Sequence, residues 1–209
     1  QFLDFHRKYY HPSNSYIYLY GNMDMEEKLA FLDEHYLSHF DYLDVDSVIQ
    51  EQKAFGACRD VTLEYPVAEN EGEEDNTYLS YNMVVGNAAD SQMAMAFEVL
   101  DYALLSAPGA PLKQALLDVK AGKDVYGSYD DGILQPYFTV IAKGSNPDRK
   151  EEFVSVIRQV LGDIVKNGID KKAVEAGINY FEFRYREADF SSYPKGLMYS
   201  LDILGDWLY

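Results

Sequence analysis

Cysteine is nearly absent from this chain. Cys58 stands alone among 209 residues, so no internal disulfide can form, and such usage suits a reducing, cytoplasmic compartment. Positive charge is scarce as well: 18 Lys and Arg stand against 35 Asp and Glu, a net charge of −17. That balance disfavours nucleic acid and anionic membranes as partners, because both are gripped through positive charge. No run of about 18 apolar residues occurs, which excludes a helical membrane span. A secretory leader is missing too; Gln1 falls inside a helical pattern, as it would in a piece of a longer chain. What is plentiful is apolar and aromatic surface. Hydrophobic residues make up 47% of the chain, with 19 Tyr and 11 Phe, enough for a packed core rather than a disordered coil.

The stretch FHRKYYHPSNSYIYLYGNMD, residues 5–24, reads as a helix end, a turn and a strand. Pro12 has no N–H to continue the helix, and Ser13 and Asn14 bond their own backbone. Tyr16, Tyr18 and Tyr20 alternate with Ile17 and Leu19, which predicts a strand covered on both faces. Its sheet neighbours would lie upstream of Gln1. Asp24 then caps a helix over 25–40, with Glu27 completing a capping box. The helical period is lost over 41–56, where Asp recurs at 41, 44 and 46, and the domain boundary is placed there.

Beyond it, Val61, Leu63, Tyr65 and Val67 alternate with Thr62 and Glu64, the pattern of a half-buried strand over 58–67. An acidic hairpin loop over 68–76 leads to a returning strand over 77–85. A nearly all-apolar helix over 91–106 and a second one from Pro111, closed by Gly122, come next. Residues 125–129 and 137–143 pair around Asp130-Asp131-Gly132. The most regular helix runs from Pro147 to Asn167, with Ser145 and Asn146 as caps. Its Phe153, Val156, Ile157, Val160, Leu161, Ile164 and Val165 form one stripe. Asp170 caps a helix with Val174, Ile178, Phe181 and Tyr185 inward, and Ser192 and Pro194 open the last one, which reaches Trp207-Leu208-Tyr209 with no stop signal, as in a cut chain. Short connections make the strand pairs antiparallel. The expectation is an α+β two-layer sandwich: a mostly antiparallel sheet with helices packed on one face.

The YYHPSN turn, the GNMD helix start, PLKQALLDVKAG at 111–122 and DVYGSYDDGILQPYFTVIAKGS at 124–145 together resemble the pitrilysin/insulinase zinc peptidases. The likeness is to the branch of presequence protease and falcilysin. It implies a fragment: residues 1–43 end the first, catalytic-type domain, 44–56 link, and 57–209 form most of the second, noncatalytic domain. Zinc belongs to the full-length parent, and the partners implied are the remaining domains of the same polypeptide and peptide substrates. The second domain would help to wall a chamber in which peptides are cut, and an acidic wall favours peptides with basic residues. The alternative is a nonenzymatic structural or assembly subunit of the same fold.

That family works through His-x-x-Glu-His, two helical imidazoles on zinc and a Glu as general base. His6, His11, His35 and His39 are the only histidines here. His35 and His39 share a helix face, but the Glu precedes them at Glu34, so no zinc site is expected and the chain by itself should be inactive. Two His near a helix C-terminus are more simply cations at its negative end. The family also uses an Arg and a Tyr, six apart, to hold the substrate backbone. Lys120 and Tyr126 have that spacing, but Lys lacks the bidentate fork of Arg. They are weak substrate-binding candidates, and an inward-facing Tyr126 is the simpler expectation. No residues are assigned as catalytic or metal-binding.

Overall fold

The computed structural model describes residues 1–68, 72–187 and 190–208. Of the acidic loop, residues 69–71 lie outside the described residues, as does Tyr209 of the expected ending. The chain divides into two compact units, Gln1–Gln50 with Ser192–Leu201, and Glu51–Ser191 with Asp202 onward.

The first unit carries helix α1 (Phe2–Tyr9), a 3-10 turn at Pro12–Asn14 and helix α2 (Met25–His35). His11 serves the turn as its cap: its Nδ1 accepts from the Ser13 amide at 3.2 Å. Asp24 caps α2 by accepting from the Glu27 amide at 3.0 Å, whereas the Glu27 carboxylate pairs with Lys28, so only half of the expected box forms. Helix α2 is also shorter than expected, giving way at Tyr36 to a 3-10 turn over Leu37–His39. Residues 16–20 are not a strand. A strand exists through its ladder, and no partner strand is present for this segment among the described residues. Its tyrosines meet the start of the last helix instead: the Tyr18 hydroxyl donates to the Gly196 carbonyl at 3.4 Å, and the Tyr20 ring lies against Gly196.

The second unit holds a three-stranded antiparallel sheet in the order β1-β3-β2, with β1 Thr77–Val84, β2 Asp124–Asp130 and β3 Tyr137–Ser145. The predicted strand at 58–67 joins no ladder among the described residues, leaving Val61 70% and Leu63 84% exposed; alternation alone does not make a ladder. Among the described residues, only the second of the two flanking strands of the expected hairpin forms. In the acidic stretch, Asp75 is held by the Asn146 amide at 2.7 Å and by Lys123, which keep the carboxyl below the usual range.

Helices lie on one face. Helix α3 (Ser91–Asp101) passes into a π-helical turn (Tyr102–Ser106), closed by the Ala107 amide donating to the Tyr102 carbonyl at 2.7 Å. This wider turn sends Ala103, Leu104 and Leu105 all into the interior, while Met93 and Met95 at the start of α3 remain exposed. Helix α4 (Pro111–Asp118) buries Leu112 and Leu116 completely. It is closed not by Gly122 but by Lys120, whose φ of 55° puts it in the left-handed region. The Lys120 amide then donates to Leu117 and that of Ala121 to Leu116, satisfying carbonyls that the helix end leaves open. Helix α5 (Lys150–Asn167) follows a 3-10 turn at Pro147–Arg149. Neither expected cap acts there: Ser145 is buried and donates to the Ala121 carbonyl, and Asn146 is engaged by Asp75.

From α5, Phe153 and Ile157 enter the core fully, and Val156, Val160, Leu161 and Ile164 partly. Val165 does not; it is 87% exposed. These side chains meet Phe138, Val140 and Ala142 of β3, Val125 of β2 and Leu79 of β1 in one core. Helix α6 (Lys171–Glu187) approaches α3 at Gly177, where an added β-carbon would lie 3.2 Å from Val99. Its Ile178 and Tyr185 are about half exposed rather than inward, because Gly177, not Ile178, marks the contact line. Helix α7 (Lys195–Trp207) ends the described fold.

Candidate functional site

Lys120 and Tyr126, the residue pair with substrate-binding spacing, lie just past α4 and within β2. Lys120 is an exposed helix stop, and its strained backbone accounts for its position. Tyr126 faces away from the core, 39% exposed. Val125, Gly127 and Tyr129 take the core side of β2, so the strand has the opposite phase from the one expected. Among the described residues no hydrogen bond or ion pair joins the two. His35 ends α2 with its ring 4.7 Å from that of Phe31, and His39 closes the following 3-10 turn. Among the described residues no group of three or more His, Cys, Asp or Glu is placed to hold a metal.

The most perturbed chemistry lies on α3, at Glu98 and Asp101. These are the two acids of a helix otherwise without charge, a signal that the sequence carried and that an all-apolar reading of 91–106 passed over. Spaced three apart, they project toward neighbouring elements from one side. The Tyr185 hydroxyl of α6 donates to Glu98 Oε2 at 3.0 Å. Burial raises the Glu98 carboxyl, the Tyr185 bond partly opposes that rise, and Asp131 nearby adds to it. Burial first, and then the Glu98 charge, push the Tyr185 phenol up to about 12.

Asp101 is raised by burial, with Ser106 pulling the other way through a 3.3 Å bond to Oδ2. Its Oδ1 is buried and has no hydrogen-bond partner among the described residues. It sits over Gly127 of β2, 3.4 Å from where a β-carbon would be. Rings close the surroundings: Tyr102 stacks on Tyr180 at 4.8 Å and Phe97 on Tyr129 at 5.4 Å. Burial biases both carboxyls toward the neutral form. Among the described residues the arrangement joins no metal set, and it forms a half-buried polar joint between α3, α6 and β2. A second feature is a cleft of about 1350 Å³ between the unpaired segment 61–67 and β1, bordered by Phe153 and Val154 of α5.

The profile of the peptidase M16 inactive domain matches residues 1–181. The chain belongs to this family. It is 47% identical over its whole length to protein HypA of Clostridium perfringens, of which it covers 22%. It is 32% identical, again along its whole length, to presequence protease 1, chloroplastic/mitochondrial, of Arabidopsis thaliana, of which it covers 20%. The chain thus spans about a fifth of the length of these relatives. In fold it is similar to the inactive peptidase domain of a protein from Bordetella parapertussis described as a zinc protease. The TM-score is 0.52 at 13% identity, over 63% of this chain and 74% of that one. Among the described residues no helix is long and apolar enough to cross a membrane.

Proposed function

We propose that this chain is a noncatalytic part of a longer zinc-dependent oligopeptidase. Residues 1–43 complete the catalytic-type domain, 44–56 link, and 57–209 form the second domain, which helps to wall the chamber where peptides are hydrolysed. The match to the M16 inactive domain over residues 1–181 supports the noncatalytic part of this reading; the domain bounds are taken from the sequence pattern. It is supported by full-length similarity to one fifth of a presequence protease. Zinc and the general base would sit elsewhere in the parent, and the excess of 35 acidic over 18 basic side chains suits peptides with basic residues.

The test compares the 209-residue chain with the full-length parent. The parent should hydrolyse unstructured peptides, lose that activity to a chelator and regain it with zinc. The chain alone should cut nothing and retain no stoichiometric zinc. Tight zinc binding by the chain, lost in His35→Ala, overturns the reading. A parent without hydrolysis and without an upstream His-x-x-Glu-His points to the alternative, a structural subunit of the same fold.

A further inference from the structure

Residues 41–56 carry no regular element apart from the loss of helical period, as a loose link would, yet bonds from two turns hold them. Within the first unit, the Leu43 amide donates to the Ser13 hydroxyl at 3.1 Å, and the Ser47 hydroxyl donates to Asn14 Oδ1 at 2.6 Å. Asn14 is oriented in turn by its side-chain amide, which donates to the Tyr9 carbonyl at 2.9 Å. Within the second unit, the Asn87 side-chain amide donates to the Glu51 carboxylate at 2.7 Å. Gln135 takes Gln52 by its backbone: Oε1 accepts from the Gln52 amide at 2.6 Å, and Nε2 donates to the Gln52 carbonyl at 3.1 Å.

A donor and an acceptor met together are what one residue of an antiparallel strand offers the residue opposite. Gln135 copies that exchange with a side chain, and its backbone is fixed for the task. Pro136 is fully buried and its carbonyl accepts from the Val85 amide at 2.8 Å, while the Leu134 carbonyl accepts from the Ala88 amide at 3.0 Å. Both neighbours of Gln135 are thus tied to the turn that carries Asn87. Its bonds reach only the main chain of Gln52, so they do not depend on which side chain that residue bears.

We propose that Gln135, with Asn87 on the adjoining turn, is a binding site for extended backbone whose occupant is the Glu51–Gln52 segment of this chain. Together with Ser13 and Asn14 at the other end, it makes residues 43–52 an anchored strap. Only Val48, Ile49 and Gln50 are left as a joint, immediately before the point where the second unit begins at Glu51. Val48 and Ile49 are well exposed, as befits a joint. Three residues reach at most about 10 Å, against about 45 Å for all of 44–56 without anchors. The anchors belong to YYHPSN and to the Leu134-Gln135-Pro136 run, stretches that carry the family resemblance and had no role until now. In the parent, the strap limits the slack between the two domains. That consequence rests on the reading of 44–56 as their link, whereas the strap itself does not.

Amide hydrogen exchange and tryptic cleavage of the 209-residue chain test the strap. The Gln52 and Leu43 amides should exchange more slowly than that of Ile49, which has no hydrogen-bond partner among the described residues. Gln135→Ala should speed both exchange at Gln52 and cleavage after Lys53 about tenfold, the worth of two such bonds. The Tyr81 and Met83 amides, paired with β3, should stay protected in that variant, showing that the sheet is intact. Gln52→Ala should keep the protection at position 52, because the site holds backbone. A Gln52 amide as fast as that of Ile49 in the unmodified chain overturns the proposal. So does a Gln135→Ala variant with neither effect, or a Gln52→Ala variant that loses as much as Gln135→Ala. Should Gln135→Ala loosen the sheet, the comparison of Gln52 with Ile49 in the unmodified chain decides alone. A slow Gln52 amide beside a parent that hydrolyses no peptide leaves the strap and removes the chamber; a fast one beside an active parent does the reverse.

Discussion

Leu105 occupies the space that a side chain on Gly127 would need: a β-carbon there would lie 2.3 Å from Leu105 Cδ1 and 2.5 Å from the Thr139 carbonyl. The π-helical turn presses onto β2 at its one position without a side chain. Gly127→Ala should therefore destabilise by about 1–3 kcal/mol through overpacking. Gly162→Ala is the control, since nothing lies within 4 Å of its β-carbon and α5 gains a better helix former. Urea denaturation of both variants checks this; equal midpoints would mean that the α3–β2 contact is looser than described.

Helix α5 supplies a graded series. Ile157 has no exposed surface, and Ile157→Ala should cost about 2–5 kcal/mol by lost transfer energy and a cavity. Leu161, only partly buried, should cost less. Val165, 87% exposed, should cost within about 0.5 kcal/mol. Denaturation midpoints in any other order would contradict the packing of this helix.

Asp101 gives a pH dependence with a definite sign. Burial holds its carboxyl above the ordinary value, so from about pH 4 upward the folded state binds more protons than the unfolded one. Stability contributed by the protonated group is then lost as pH rises through the folded value, and Glu98 acts in the same direction. Asp101→Asn, which cannot ionise, should flatten the fall in stability as pH rises above about 4 and raise the midpoint at neutral pH. An unchanged slope would show that Asp101 reaches water when charged.

Local periodicity was readable; phase and partnership were not. The stripe on α5 identified Phe153 and Ile157 correctly because a 3.6-residue period repeated over five turns leaves one solution. It overreached at Val165, where the spacing continues past the surface available to cover it. On β2 the neighbours Val125 and Tyr126 are both apolar and Gly127 has no side chain, so the strand fits either phase. Only the register of Tyr126 with Ile141 and of Val125 with Ala142 decides it. The strands at 16–20 and 58–67 were expected from alternation, a property of one segment, whereas a ladder belongs to two. Lys120 as a helix stop ran against propensity, since glycine ordinarily takes that backbone. The joint of Glu98, Asp101 and Tyr185 brings α3 to α6 across more than eighty residues, which no local pattern encodes.

The π-helical turn at Tyr102–Ser106 also bears on how this chain tolerates changes in length. A helix rotates by about 100° per residue, so removing one residue from the turn would restore α-helical winding while keeping the helix continuous. The interior would then receive a different face: Ala103, Leu104 and Leu105 could no longer all point inward, and Asp101 would swing away from Gly127. Single-residue gaps among related chains should thus be admissible at this turn only together with compensating changes at Gly127 and Asp101, making the three positions one inherited unit.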